Sequence, residues 1–164
     1  MSVRTDSVKA FIENPVVLSA FTSWFLAQVV KAAIMILRTD RRRGTDRFRR
    51  REILGTIAWR TGGMPSSHAA LVSALTTSLA IHEGFQSNLF AVSFFFSLII
   101  MRDAMGVRRS SGIQGKSLNS LGRNLAERFD LEYHPVKEVQ GHSPLEVVIG
   151  ALLGIFIAAA YAYL

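Results

Sequence analysis

Two histidines in this chain stand beside hydroxyls, prolines and glycines, each where a helix would begin. His68 follows Gly62-Gly63-Met64-Pro65-Ser66-Ser67, and His142 lies in Gly141-His142-Ser143-Pro144-Leu145-Glu146. The first block is a flexible turn feeding a helix N-terminus, where unpaired N–H groups and the helix dipole favour an anion. Its plainer reading is Ser66 or Ser67 as an N-cap, with His68 a polar interface residue. In the second block Ser143 stands three residues before Glu146, with Pro144 at the first helical position, which is the pattern of a capping box. Glu146 also lies one turn after His142, close enough to accept the N–H of one imidazole nitrogen and leave the other free as a nucleophile. The structural and chemical readings of Glu146 are compatible in part.

Positive charge comes from elsewhere in the chain. Gln28, Lys31 and Arg38 fall at spacings of three and seven, on one face of an apolar helix. A charge within an apolar span faces a bundle interior or a cavity and marks a functional site by default. Arg38, at the helix end, also has the plain role of a snorkelling anchor. Asp103, Arg108 and Arg109 lie in Met101-Arg102-Asp103-Ala104-Met105-Gly106-Val107-Arg108-Arg109. Arginines beside a glycine-containing turn suit bidentate phosphate binding, or simply add positive charge to a loop. Asp103 together with Glu146 offers a carboxylate pair for a divalent ion. The remaining parts suffice for phosphoryl transfer with no metal or other cofactor: two histidines, a carboxylate partner, cations and an anion-favouring helix start.

Residues so far apart must be gathered by helices. The chain has 164 residues, 49% of them apolar, with 19 Lys+Arg against 12 Asp+Glu for a formal net charge of +7, and no cysteine. That length suits one domain over 1–164. The apolar content excludes a disordered chain, and the lack of cysteine excludes a disulfide framework, a thiolate metal site and a cysteine nucleophile. Apolar segments stand out over residues 15–37, 65–82, 85–101 and 144–164. A bilayer core needs about 20 apolar residues, with a range of about 17 to 25, so the first and last qualify and the middle two are marginal. A soluble helical bundle with two buried central helices is the competing reading. Asn14 is placed to cap the first segment, with Pro15 at its first helical position. MSVRTDSVKAFIEN is polar and has no short apolar region with a small-residue cleavage site, so insertion is expected to use the first span itself.

The loops set the expected orientation. Residues 38–60 carry nine arginines and three acids, residues 102–142 carry seven Lys/Arg and five acids, and together they hold 16 of the 19 basic residues. Four spans put both loops on one side, and the positive-inside rule makes that side cytoplasmic. Within the second loop Leu118, Leu121, Leu125 and Phe129 recur at spacings of three and four, the stripe of an amphipathic helix lying on the cytoplasmic interface or over the mouth of the bundle. The expected fold is thus an all-α integral membrane protein, with about four transmembrane helices in one bundle plus a cytoplasmic amphipathic helix. DRRRGTDRFRRRE reads as a topology signal and a contact for anionic lipid, not as a nucleic-acid site, since no aromatic interleaving accompanies it. Gly150 and Gly154 form a small-xxx-small pattern for close helix packing. Lys31 and Arg38, Ser66 to His68, Asp103 to Arg109, and His142 to Glu146 all fall at the cytoplasmic ends of four different spans.

With these residues assembled, the sequence resembles the divergent membrane branch of the type 2 phosphatidic acid phosphatase superfamily, related to acid phosphatases and vanadium-dependent haloperoxidases, over nearly its whole length. Lys31 and Arg38 match the superfamily's Lys, six residues, Arg-Pro, with Thr39 for proline. Pro65-Ser66-Ser67-His68 matches its Pro-Ser-Gly-His with serine for glycine, and His142 with Glu146 matches the end of its third motif with glutamate for aspartate. The Ser-Arg of that motif is replaced by Pro135 and Val136, and Arg108 or Arg109 is the expected substitute. The resemblance implies that His142 attacks phosphorus, oriented by Glu146, and that His68 protonates the leaving oxygen and then activates water. It implies that Lys31, Arg38, Ser66, Ser67 and Arg108 or Arg109 hold the phosphoryl oxygens; Gln28 and Asp103 are additional candidates by their placement alone. The implied substrate is a lipid phosphate or diphosphate, phosphatidylglycerol phosphate for example, cleaved on the cytoplasmic side of the plasma (inner) membrane. Homo-oligomerisation is left open. A non-catalytic binder of anionic lipid, a polyprenyl diphosphate phosphatase and a haloperoxidase are the competing functions.

Overall fold

The computed structural model describes residues 2–39 and 63–163, with side chains described for 6–37 and 63–163. The arginine-rich loop expected over 38–60 lies outside the described residues apart from the backbone of 38 and 39, and with it the side chain of Arg38. Among the described residues the elements are α1 (Ser2–Ile12), α2 (Pro15–Thr39), α3 (Ser67–Glu83), α4 (Asn88–Met105), α5 (Val107–Phe129) and α6 (Pro144–Tyr163).

Local signals explain most of the boundaries. The Asn14 Oδ1 accepts from Val16 N at 2.9 Å, which caps α2 behind Pro15. Ser87 Oγ accepts from Phe90 N at 3.1 Å and starts α4 three residues beyond the apolar edge at Phe85. Gly63, at φ +83°, turns the chain into a cis Met64–Pro65 bond, and Ser66 caps α3 through its Oγ and Ala69 N. Gly106 divides α4 from α5, so the amphipathic helix begins at Val107, well before the start that its leucine stripe suggests.

The bundle consists of α2, α3, α4 and α6, with α3 packed against the other three. Its side chains are sorted opposite to a water-soluble fold. The largest fully buried side chains are Ser19, Ser23, Ser66 and Ser78, whereas Phe21, Phe25, Phe94, Phe95, Phe96 and Phe156 are exposed. Large apolar groups outside and small or hydroxyl groups inside are what a lipid solvent selects, because there is no hydrophobic gain from burying leucine away from hydrocarbon. Helix contacts are accordingly close and hydroxyl-mediated. Gly150 rests on the Ser66 backbone and Gly154 on the Ala70 carbonyl, so the small-xxx-small pair is the α3–α6 seam. Ser23 Oγ donates to Ala70 O at 3.1 Å across α2 and α3, and Ser97 Oγ donates to Val72 O at 3.1 Å while sharing a 2.7 Å hydrogen bond with Thr76 Oγ1 across α3 and α4.

Among the described residues, three helical stretches are long and apolar enough to cross a membrane: Pro15–Leu37, Asn88–Phe129 and Pro144–Tyr163. The fourth expected span, α3, has 17 residues, about 26 Å at 1.5 Å per residue, against a hydrocarbon core of about 30 Å. Surrounded by the other three, it carries serines and threonines inward and does not need the apolar length of a lipid-facing helix. The chain is an all-helical membrane protein in its described residues.

Candidate functional site

His142 is delivered to the bundle by an extended return strand of chain. Asp130, in the left-handed conformation at φ 50°, ends α5 and reverses direction. Residues 131–143 then run back along the helix, with Tyr133 over Gly122, Glu138 over Gly115, Val139 over Gly112 and Gly141 over Arg109. Gly112, Gly115, Asn119 and Gly122 recur at spacings of three and four, so they form one smooth helix face. A Cβ at Gly112 would strike the Val139 carbonyl. Asn119, 3% exposed, clasps the returning chain. Its Nδ2 donates to Val136 O and to Glu138 Oε1, both at 2.9 Å, and its Oδ1 accepts from Val136 N at 2.9 Å and from Tyr133 OH at 2.8 Å. Sequence reasoning missed this clasp. The 3-4-3 spacing of glycines and asparagine was its signal.

At the end of that strand His142 N donates to Ala104 O at 3.0 Å, tying the backbone to the end of α4. Its imidazole is 3% exposed, and Nδ1 lies 3.1 Å from Glu146 Oε2. The same carboxylate oxygen accepts from Ser143 N at 3.1 Å, while Ser143 Oγ accepts from Glu146 N at 3.4 Å. The capping box and the histidine partner are therefore one carboxylate in both roles. A carboxylate facing Nδ1 fixes the proton there and leaves Nε2 with its lone pair. Burial holds the His142 imidazole below its ordinary range, helped by the positive charge of Lys31 and Arg108 and opposed by its hydrogen bond to Glu146.

The sequence-selected cations and the other histidine arrive from three more helices. His68, half-buried in the first turn of α3, is within electrostatic range of Arg108, His142, Lys31 and Asp103. Lys31, on α2, is 6% exposed and within range of Glu146, and its Nζ has no hydrogen-bond partner among the described residues. Gln28 is 4% exposed with its Oε1 likewise unpartnered. Arg108 Nε binds Asp103 Oδ2 at 2.8 Å, which aims the guanidinium beside the two histidines. Asp103 is thus an arginine partner, and no group of three or more His, Asp or Glu among the described residues is arranged to hold a metal ion.

Two expected phosphate ligands sit differently. Ser66 is fully buried, its N donates to Glu146 O at 2.9 Å and its Oγ caps Ala69 N, so it joins α3 to α6 and both groups are already engaged. Ser67 is the first residue of α3, where N–H groups lack intrahelical acceptors. Arg109 turns away from Arg108 and lines a neighbouring cleft with Lys116, Glu138 and Gly141.

Residues 12–157 match the Divergent PAP2 family. An uncharacterized membrane protein of Bacillus subtilis (strain 168), YuiD, is 36% identical over 163 residues, covering 93% of this chain and 96% of that protein. No solved structure matches. By the extent of the family match and of this relative, the chain belongs to the Divergent PAP2 family.

Proposed function

We propose that this protein is a membrane phosphatase that hydrolyses a lipid phosphate ester or diphosphate through a phosphohistidine at His142, with no metal. The observation that carries the reading is the buried Lys31 ammonium with no hydrogen-bond partner among the described residues, set beside a hydrogen-bonded His142–Glu146 pair. A buried cation is costly unless paired, and an anionic phosphoryl group resolves that cost. In the first step His142 Nε2 attacks phosphorus and the P–O bond to the lipid breaks, while His68, starting protonated, gives its proton to the leaving oxygen. Glu146 stabilises the charge that appears on the imidazole. In the second step neutral His68 takes a proton from water as that water attacks the phosphohistidine, releasing phosphate and restoring both rings. Lys31, Arg108 and the Ser67 amide hold the phosphoryl oxygens, with Arg38 as a fourth donor.

The reading puts the site on the cytoplasmic face of the plasma membrane, with α3 counted as the fourth crossing so that 38–60 and 102–142 share a side. Purified protein is expected to release phosphate from a panel of lipid phosphates equally with and without chelator. No release from any member would leave a non-catalytic lipid binder. Cysteines introduced at Ser110 are expected to react with impermeant reagent from the cytoplasm only, and at Ser87 from outside only. Labelling of Ser110 from outside the intact cell inverts the orientation, and the substrate would then be sought among exported polyprenyl diphosphates.

A further inference from the structure

A cleft of about 390 Å³ opens beside the site, between α5 and the return strand. Its walls include Arg109, Lys116, Glu138 and Gln140, and Gly63 and Gly141 form its inner edge. That edge borders the site on both sides. Gly141 is bonded to His142 and lies against the Arg109 backbone, and a Cβ on Gly63 would stand 3.8 Å from Lys31 Cγ. The cleft lining carries two cations against one carboxylate. Glu138 Oε1 accepts from the Asn119 amide, and no ion pair among the described residues engages Arg109 or Lys116. Arg108, the neighbour of Arg109, is by contrast matched to Asp103 at 2.8 Å.

We propose that this cleft is a second anion subsite, in which Arg109 and Lys116 hold another phosphate or phosphodiester group of the same lipid while its terminal phosphoryl group lies against His142. The inference rests on the phosphatase reading and narrows its substrates to lipids with two phosphorus-borne charges. Two cations with no ion pair among the described residues, in a cleft that reaches Gly141 beside the nucleophile, would add charge-assisted hydrogen bonds to such a substrate and nothing to a lipid with a single phosphate. Ile113 and Val139 in the wall tolerate the methylenes or glycerol that separate the two groups.

The test compares phosphate release by the full chain from phosphatidic acid, phosphatidylglycerol phosphate and diacylglycerol pyrophosphate in mixed micelles. The native protein is expected to show kcat/KM about 10-fold or more in favour of at least one two-phosphate lipid, which also tells whether the second group is a separated phosphodiester or an adjacent phosphate. In the double variant Arg109→Gln, Lys116→Gln the ratio to phosphatidic acid should fall to near one, mainly through KM. A native ratio near one, or a ratio unchanged in the variant, overturns the subsite and leaves the phosphatase reading intact. Turnover of none of the three lipids overturns the phosphatase reading itself, and the subsite with it.

Discussion

At the start of α6 the imidazole of His142 is 3% exposed and held by Glu146 through Nδ1, with its own backbone tied to Ala104. At the start of α3 His68 is half-buried, and its ring takes no hydrogen bond among the described residues. Both helices open on a glycine-containing turn with proline and serine, yet one histidine is held by a carboxylate and the other has no side-chain hydrogen bond among the described residues. The difference matches two chemical tasks. A nucleophile must meet phosphorus along one line, so orientation is worth fixing in advance. An acid that later acts as a base must reach a leaving oxygen and then a water, so a ring with freedom serves better.

That contrast is sharpest in the two alanine variants. His142→Ala is expected to abolish turnover and any phosphoenzyme, since no other histidine among the described residues is held by a carboxylate within range of Lys31. His68→Ala should still form phosphoenzyme from a substrate with a good leaving group, while steady-state turnover falls by about 10² to 10⁴-fold. Equal loss of both activities in the His68 variant would break the division of labour.

Glu146→Gln separates the two roles of one oxygen. An amide can still serve the capping box, but it no longer fixes the proton on Nδ1, and turnover is expected to fall by about 10- to 100-fold. Near-normal turnover would assign Glu146 to the helix cap alone. The variant also has a pH signature. Burial already keeps the His142 imidazole below its ordinary range and Glu146 opposes that shift, so removing the carboxylate should move the acid limb of the kcat/KM profile to lower pH.

The smallest effect expected is at the clasp. Asn119→Ala leaves the Val136 and Tyr133 partners unsatisfied, for about 1 to 3 kcal/mol of local stability. Amide exchange over 133–138 should accelerate while exchange in α3 and α6 stays as it was.

The sequence announced α2 and α6 through length and caps, and the capping box of Glu146 through its spacing, because these are local signals read over a few residues. It placed His68, His142, Lys31 and Arg108 at one end of the bundle because helices of similar length align their ends. Three things were not legible. Ser66 spends its amide on the Glu146 carbonyl, a contact fixed by how closely Gly150 lets α6 approach α3. Arg108 and Arg109 are adjacent in sequence but project about 100° apart on a helix, and only the early start of α5 at Val107 sends them to different places. The returning segment 131–143 has neither period, and its partners lie 14 to 19 residues away on α5, so its only mark is the 3-4-3 spacing on the α5 face that it crosses.

The central claim is that phosphate passes through His142. Brief reaction of the His68→Ala protein with a labelled phosphate ester that has a good leaving group, followed by denaturation and digestion, should give an alkali-stable, acid-labile phosphate on the peptide containing His142, absent after His142→Ala. Label on a serine or on any other histidine, or release of phosphate by the native protein without a labelled intermediate in any variant, would contradict it.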